Sequence, residues 1–279
     1  KKLLPSIFSS GITQINILIG TIIASFETGA VSYLYYADRI YQINLAIAGI
    51  AVGTVSLPAL SKAFKNKNIK KLSNIQSKSF ELSLLLSIPA SLGLILASEE
   101  IVNSLFGYGS FSEKDVKLTA DALKYFGYGV PAFALVKILS NFFFARDNTK
   151  TPLYISIFMV IINISISVSL FASYGFIIIP IATSISTWIG VLIYIYLLNE
   201  KNSLLLNKKL IPNFIKILAS TIIMSIIMVL LINNYESYLN YSYKFKAIYL
   251  LSIVGFVGIV YLLSCYLFGI LKLKNYKTN

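Results

Sequence analysis

Long apolar runs separated by short polar connections occupy almost the whole chain. Each run is about as long as the 20 residues that a helix needs to cross the hydrocarbon core of a bilayer. None alternates as a barrel strand does, and an open sheet cannot lie in lipid. The pattern predicts an all-α, polytopic membrane protein with eight transmembrane helices. They lie near residues 4–25, 30–58, 77–97, 119–144, 153–173, 176–198, 213–232 and 246–270.

The connections between the runs carry most of the basic residues, and these are unevenly distributed. If the N-terminus is cytoplasmic, fifteen Lys and Arg residues fall inside and only Lys114, Lys117, Lys244 and Lys246 fall outside or at the outer edge. Cytoplasmic loops carry the excess of Lys and Arg in membrane proteins. Both ends of the chain are therefore predicted to be cytoplasmic, which requires an even number of spans.

A basic connection that ends at Pro212 gives the best domain boundary in the chain. We divide the sequence into a six-helix lobe (1–200), a basic cytoplasmic linker (201–212), a transmembrane helix pair (213–271) and a cytoplasmic tail (272–279). A second basic segment, residues 61–76, is predicted to be either an interfacial helix near anionic lipids or a solvated loop.

Composition supports a membrane protein without catalytic chemistry. Of the 279 residues 57% are hydrophobic and 13% are charged, whereas soluble domains carry about 25% charged residues. The net charge is +13, and the basic residues lie between apolar runs. This position favours a membrane protein over a nucleic-acid-binding protein. The chain has no histidine, one cysteine and no catalytic or phosphate-loop motif, so neither an enzyme nor a cofactor is predicted. It starts at Lys1 without a signal-peptide pattern, and we expect it to be a fragment.

The most informative polar feature is the adjacent pair Asp38–Arg39 inside the second run. A charged side chain in a bilayer costs several kcal/mol unless it faces a partner or a water-filled cavity. At helical spacing, Arg39 shares a face with Tyr35 and Gln42, while Asp38 and Gln42 share a neighbouring face. Arginine stays charged and can hold phosphate through its planar fork. The pair predicts a polar passage or binding chamber; the alternative is a pair that reaches the outer rim.

Lys137 is a second basic residue inside a run and lies nine residues before Arg146. It is predicted either to contribute to the same chamber or to extend toward the cytoplasmic interface. In the fifth run, Asn163 and Ser167 share a helix face. Serine hydroxyls in membrane helices commonly bond backbone carbonyls or pack against neighbouring helices, which is the interpretation favoured for the serines of this run.

Five motifs together resemble one family of membrane transporters. They are GAVSYLYYADR (29–39), GIAVGTVSLPALSK (49–62), LFGYGSF (105–111), VKIL (136–139) and FFARDNTKTP (143–152). In this order they resemble the second half of lipid II flippases of the MurJ/MviN type, which belong to the multidrug/oligosaccharidyl-lipid/polysaccharide exporter superfamily. The resemblance covers residues 1 to about 200; the last two runs agree only in number and position.

The resemblance implies a fold and a mechanism. Family members have two six-helix lobes and a C-terminal helix pair, so this chain would lack the N-terminal lobe. They move undecaprenyl-linked peptidoglycan precursor across the bacterial cytoplasmic membrane through a cationic cavity that opens alternately to each side. The implied partners are lipid II or a similar undecaprenyl-diphosphate lipid, membrane lipids and the missing lobe, and no nucleic acid.

The resemblance also assigns residues. The family's Ala-Asp-Arg motif falls on Asp38 and Arg39, and its fourth-span lysine on Lys137; with Tyr35 and Gln42 these form the predicted substrate-binding set. A family sodium site would lie near Asn163, Ser167 and Thr183, but Ser167 stands at the position of an acidic residue. We therefore assign no metal site, and a degenerate sodium site at these residues is the alternative. Coupling to the membrane potential or to a monovalent cation is predicted. The alternatives are another polyprenyl-diphosphate-sugar or cation-coupled exporter of the superfamily, and a non-transporting cell-wall scaffold.

Overall fold

The computed structural model describes the backbone of residues 3–271 and the side chains of residues 14–271. All the regular elements in this part of the chain are helical, which confirms the predicted all-α class. The α-helices are α1 (Leu3–Ala24), α2 (Ala30–Leu45), α3 (Val52–Lys65), α4 (Ile69–Leu96), α5 (Ser98–Phe106), α6 (Glu113–Phe144), α7 (Lys150–Tyr174), α8 (Ile178–Glu200), α9 (Leu210–Asn234), α10 (Glu236–Leu239) and α11 (Lys246–Leu267). A π-helical turn (Ala46–Ala51) joins α2 to α3, and a 3-10 turn (Gly175–Ile177) joins α7 to α8.

Six helical segments among the described residues are long and apolar enough to cross a membrane. They are Ala30–Lys65, Ile69–Leu96, Glu113–Phe144, Lys150–Glu200, Leu210–Asn234 and Lys246–Leu267. The 51-residue segment Lys150–Glu200 contains α7 and α8, which pack against each other. Large apolar side chains remain exposed on the outer faces, such as Leu251 (70%) and Leu267 (80%) on α11. Such faces suit contact with lipid acyl chains.

Helix α6 lies at the centre of the fold. It packs against α2, α3, α4, α5 and α8, and most of its residues from Val116 to Phe143 are buried. Leu123, Val130, Ile138, Leu139 and Phe142 on this helix are completely buried. Helix α1 packs on α7, and α9 packs on both α4 and α11. The predicted site residues are therefore positioned mainly by the contact of α2 and α3 with α6.

The start of α6 is capped by the sequence Ser-Glu-Lys-Asp. Ser112 and Asp115 form a reciprocal capping box, in which the Asp115 N–H donates to the Ser112 hydroxyl (3.3 Å) and the Ser112 N–H donates to the Asp115 carboxylate (2.8 Å). The other Asp115 oxygen accepts from the Tyr33 hydroxyl at 2.8 Å. The same carboxylate thus stabilises the end of α6 and fixes α2 against it.

Residues 61–76 differ from both sequence-based alternatives, because they form the ends of two long helices. Helix α3 continues to Lys65, and a tight turn contains Lys67 with a φ of 51°. The Asn68 side chain then accepts from the Lys71 N–H at 2.9 Å and caps α4. Leu72 and Gln76, one helical turn apart, are buried. The many lysines obscured the helical pattern in the sequence, because only a narrow face of the helix is buried.

The segment 201–212 is bonded to the lobe along part of its length. Gln76 is fully buried: its Nε2 donates to the Ser203 carbonyl (3.2 Å), and its Oε1 accepts from the Leu205 N–H (2.8 Å). The Ser77 hydroxyl accepts from the Asn207 N–H at 2.7 Å. These bonds hold residues 203–207, here called the strap, against α4. The strap has no regular secondary structure. The predicted tail 272–279 lies outside the described residues.

Three hydrogen bonds connect the α9–α11 region to the preceding helices. Near the strap, the Asn213 amide donates to the Glu81 carboxylate at 2.9 Å. One turn further along α4, the Tyr261 hydroxyl donates to the Leu85 carbonyl at 2.7 Å. At the opposite end, the Asn103 amide donates to the Leu239 carbonyl at 2.8 Å. The final helices therefore pack on α4 and α5 as an integral part of the fold.

Lys246, at the start of α11, is completely buried. Its ammonium group donates to Asn103 Oδ1 (2.9 Å), to the Gly107 carbonyl (2.6 Å) and to the Tyr241 carbonyl (2.8 Å). The ammonium also lies 4.3 Å from the Tyr108 ring centroid and 4.7 Å from that of Tyr241. Because an ammonium has three N–H donors, all of them are used within this cluster. The sequence-based assignment of Lys246 to an outer edge missed this burial.

Candidate functional site

The Asp38–Arg39 pair lies on α2, whose opposite face is packed on α6. Ala37 and Ile40 are buried in that contact. The Tyr41 ring stacks on two rings of α6, with centroids 4.7 Å from Phe126 and 5.2 Å from Phe133. Side chains that follow Ala37 and Ile40 around the helix must then lie on its flank or on its far side. This packing fixes the position of the two charged residues.

Arg39 lies on the exposed face of α2, where its guanidinium carbon is 4.7 Å from the centroid of the Tyr35 ring. Tyr35 is itself 54% exposed. The cation–π contact supports the guanidinium from one side. A guanidinium that is stacked on a ring still directs its N–H groups outward in its own plane. It can therefore bind a phosphate by donating two parallel hydrogen bonds.

Asp38 is half-buried on the flank of α2 and accepts a hydrogen bond from the Gln42 side-chain amide. The Asp38 carboxylate also interacts with the Tyr41 side chain. Asp38 and Gln42 therefore share a face of α2, as their spacing indicated. Gln42, however, joins Asp38 and not the Tyr35–Arg39 stack, so the four α2 residues form two neighbouring pairs.

Lys137 lies on α6 opposite the π-helical turn and the start of α3. An added Cβ at Gly49 would lie 3.2 Å from Ala134 Cα and 3.6 Å from Lys137 Cβ. At Gly53 it would lie 3.6 Å from Lys137 Cγ. Because Gly49 and Gly53 have no side chains, α6 and the aliphatic part of the exposed Lys137 side chain can pack closely against them. The sequence motif contains these glycines because the helices approach closely here.

Asn141, one turn after Lys137, strengthens the same contact. Its buried side-chain amide donates to the Gly53 carbonyl at 2.8 Å. In a helix a residue rises about 1.5 Å, so the ten residues between Arg39 and Gly49 separate the levels of Arg39 and Lys137 by about 15 Å. The structure therefore does not bring the two cations together. They lie at two depths along the same packed pair of helices.

Substitution of Gly49 tests this close approach. We expect Gly49→Leu in the full-length protein to lower the free energy of unfolding by about 1–3 kcal/mol, because the added side chain must displace the α6 backbone at Ala134. The matched control is Gly255→Leu on α11, where an added Cβ meets no atom within 4 Å. Thermal unfolding in detergent measures both. Equal melting temperatures for the two variants would contradict the assigned packing.

The three residues of the alternative, degenerate sodium site lie on α7 and α8. The Asn163 amide donates to the Thr183 hydroxyl at 2.8 Å, and that hydroxyl donates to the Ile179 carbonyl at 2.7 Å. Ser167, one turn after Asn163, is 1% exposed, and its hydroxyl has no hydrogen-bond partner among the described residues. Three neutral oxygen groups thus occur on two adjacent turns of α7 and on α8. Their neutrality distinguishes the arrangement from a carboxylate site.

Comparison with known proteins identifies the family. The family model described as "MurJ: Lipid II flippase MurJ" matches residues 1–251. The chain belongs to this family. The match extends through α9 and into α11, beyond the residues over which the sequence motifs were recognised.

Individual MurJ-family proteins support the same assignment. The chain is 38% identical to the probable lipid II flippase MurJ of Rickettsia prowazekii (strain Madrid E), over 100% of this chain and 55% of that protein. It is 43% identical to the probable lipid II flippase MurJ of Rhizobium meliloti (strain 1021), over 68% of this chain and 36% of that protein. The chain therefore spans about half the length of these relatives, or less.

Solved structures agree with the fold. A structure of lipid II flippase MurJ in an inward closed conformation matches with a TM-score of 0.78 at 27% identity, covering 95% of this chain and 53% of that one. An outward-facing MATE multidrug transporter matches with a TM-score of 0.65 at 14% identity, which establishes similarity of fold alone.

Some residues of the MurJ-like motifs have structural contacts here. Arg146 Nη2 donates to the Ser203 carbonyl of the strap at 2.8 Å. The Asn148 side chain accepts from the Thr151 N–H (3.1 Å) and donates to its hydroxyl (2.9 Å), which stabilises the first turn of α7. Tyr41, in contrast, was missed as a site residue although it follows Asp38 by three positions. Helical spacing alone could have indicated it.

Proposed function

We propose that the protein containing this chain is a lipid II flippase that acts by alternating access across the bacterial cytoplasmic membrane. The observation that carries the proposal is the MurJ family match over residues 1–251, in which a membrane-spanning helix presents the exposed Arg39. A further, N-terminal lobe of the same protein would form the other wall of the transport cavity. Arg39 would then face an aqueous space between the lobes and not lipid.

The proposed topology has eight crossings, with both ends of the chain cytoplasmic. It starts from the six apolar segments described above. The segment that contains α7 and α8 is counted as two crossings, since these helices have 25 and 23 residues, and the 22-residue α1 is added as the eighth. Each of these lengths exceeds or matches the requirement of about 20 residues for a span. Six crossings would form the second lobe: α1, α2 with α3, α4, α6, α7 and α8. Helices α9 and α11 would form the C-terminal pair. The excess of basic residues supports the orientation.

In the proposed mechanism, Arg39 binds the pyrophosphate of the lipid through its guanidinium fork, and Tyr35 supports the guanidinium. Asp38, held by Gln42, lies on the adjacent flank and neutralises part of the positive charge when the substrate has left. Lys137 contacts the headgroup at a second depth, about 15 Å along the helix. The apolar tail stays in lipid, because transfer of a diphosphate through hydrocarbon without such a polar path is prohibitive.

The membrane potential favours this direction of transport. Each negative charge moved outward gains about 2.3 kcal/mol per 100 mV when the inside is negative. A monovalent cation could also be coupled, with Asn163, Ser167 and Thr183 as neutral oxygen ligands; the unpartnered buried Ser167 hydroxyl supports this. Cation coupling stays a prediction.

Reconstitution of the full-length protein tests the function. Liposomes are prepared with fluorescent lipid II or with a polyprenyl diphosphate that carries another sugar, and the label exposed at the outer leaflet is followed with time. We expect faster flipping of lipid II than of the other lipid. Equal rates would favour a broader polyprenyl-diphosphate-sugar exporter. No flipping, combined with normal lipid II transport in cells depleted of the protein, would favour a scaffold.

A further inference from the structure

An open cleft of about 560 Å³ lies where the start of α4 meets the strap. One wall consists of Ile69, Lys70, Ser73 and Asn74, and the other consists of residues 204–207. Lys70, Ser73 and Asn74 stand at helical spacing and place an ammonium, a hydroxyl and an amide beside one another. These three groups can all donate hydrogen bonds to the oxygens of a phosphate.

The cleft is preformed because the strap is fixed. The buried Gln76 bonds both the Ser203 carbonyl and the Leu205 N–H, Ser77 bonds the Asn207 N–H, and Arg146 donates to the same Ser203 carbonyl. A wall held by four hydrogen bonds does not need to be ordered when a ligand binds, which favours affinity.

The electrostatic surroundings of the cleft are strongly positive. Residues 61–80 contain six lysines and no acidic residue, and residues 201–216 contain four lysines and no acidic residue. Lys67, Lys70, Lys71 and Lys208 are exposed around the opening. Such a cluster attracts anionic groups.

Exposed apolar side chains lie among these lysines. Phe64 is 42% exposed, Ile69 67% and Ile211 66%, all at helix ends that border the candidate spans. Lysines with exposed large apolar residues at such a level are typical of the boundary between headgroups and acyl chains. A ligand at this place would have both an anionic headgroup and an apolar tail, which a free phosphate ion lacks.

We propose that the cleft formed by Lys70, Ser73, Asn74 and the strap binds the headgroup phosphate of an anionic phospholipid in the cytoplasmic leaflet. The inference rests on the proposed orientation of the chain. The lipid would bind beside α9, at a distance from the substrate cavity, and would fix the junction of the helix pair with the lobe in the plane of the membrane.

Native mass spectrometry of the purified full-length protein tests the site, with phosphatidylglycerol as the ligand and phosphatidylcholine as the zwitterionic comparison. We expect the wild type to retain phosphatidylglycerol preferentially. Lys67→Gln/Lys70→Gln/Lys71→Gln should weaken phosphatidylglycerol binding at least about 10-fold, because each basic residue near an anionic surface contributes. The control is Lys114→Gln/Lys117→Gln at the start of α6, the end of that helix remote from the strap. This variant should bind phosphatidylglycerol as the wild type does.

A second variant separates a built site from diffuse attraction. Ser73→Ala/Asn74→Ala keeps every lysine, and we expect it to weaken phosphatidylglycerol binding several-fold. Unchanged binding by this variant, or displacement of the lipid by equimolar inorganic phosphate, would overturn the proposal. Labelling of Lys67→Cys in inverted vesicles but not in intact cells is expected, and the reverse would also overturn it. Lipid II flipping measured on the same samples distinguishes a failure of this site from a failure of the proposed function.

Discussion

Replacement of Arg39 by alanine in the full-length protein is expected to reduce lipid II flipping about 10-fold to 100-fold. A hydrogen bond to a charged group contributes about 1.5–3 kcal/mol, and each 1.4 kcal/mol corresponds to a factor of about ten. The alanine variant loses the whole guanidinium fork, while the exposed position of Arg39 on α2 makes a folding defect small. The measurement is the flipping rate in liposomes at matched protein content.

Two further variants define what Arg39 contributes. Arg39→Lys keeps the charge but not the planar fork, and an intermediate rate is expected. Lys150→Gln removes an exposed cation at the start of α7 and should flip lipid II at the wild-type rate. Unimpaired transport by Arg39→Ala at normal expression would refute the role assigned to Arg39.

Replacement of Lys246 by methionine is expected to cause the largest loss of stability. Asn103 Oδ1, the Gly107 carbonyl and the Tyr241 carbonyl would all lose their donor. An unsatisfied buried acceptor costs about 1–3 kcal/mol, so we expect the free energy of unfolding to fall by about 3–5 kcal/mol. The lost cation–π contacts with Tyr108 and Tyr241 act in the same direction. Thermal or denaturant unfolding in detergent measures the change.

Lys244 provides the matched control for this experiment. It lies two residues earlier, is exposed, and its ammonium is 5.9 Å from the Phe245 ring centroid. Lys244→Met removes the same charge from the same end of the molecule, and its unfolding free energy should stay within about 0.5 kcal/mol of the wild type. Similar effects of the two substitutions would show that the buried contacts of Lys246 do not stabilise the fold.

The helical class and the positions of the apolar segments followed directly from the sequence, because hydropathy over about 20 residues dominates the folding of a membrane helix. Helix ends were less predictable. Residues 61–76 contain so many lysines that their polar character masked the buried positions of Leu72 and Gln76. The cap of α4 by Asn68 is a local signal that could have moved the predicted start to its observed place.

The local part of the candidate site was also predictable. The Asp38–Gln42 hydrogen bond and the Tyr35–Arg39 stack both follow from spacing of four residues on one helix. The position of Lys137 beside Gly49 and Gly53 was not predictable, because it depends on how α6 meets the π-helical turn.

The burial of polar side chains was the property least predictable from the sequence. Gln76 bonds only to backbone groups of a distant segment, and Lys246 bonds to the Gly107 and Tyr241 carbonyls as well as to the Asn103 side chain. Every residue type offers backbone groups, and Asn103 is a neutral residue 143 positions away, so the sequence does not indicate these partners. Only the three-dimensional arrangement of the loops shows that these two residues connect the final helices to the rest.

The three hydrogen bonds between the final helices and α4–α5 limit how the proposed alternating cavity could reorient. Rocking of the α9–α11 region away from α4 and α5 would have to break Asn213–Glu81, Tyr261–Leu85 and Asn103–Leu239 within one step. In the proposed mechanism the final helices therefore move together with α4 and α5. The reorientation would then be accommodated at other interfaces, and the final pair would add mass and membrane contact to the lobe that carries it.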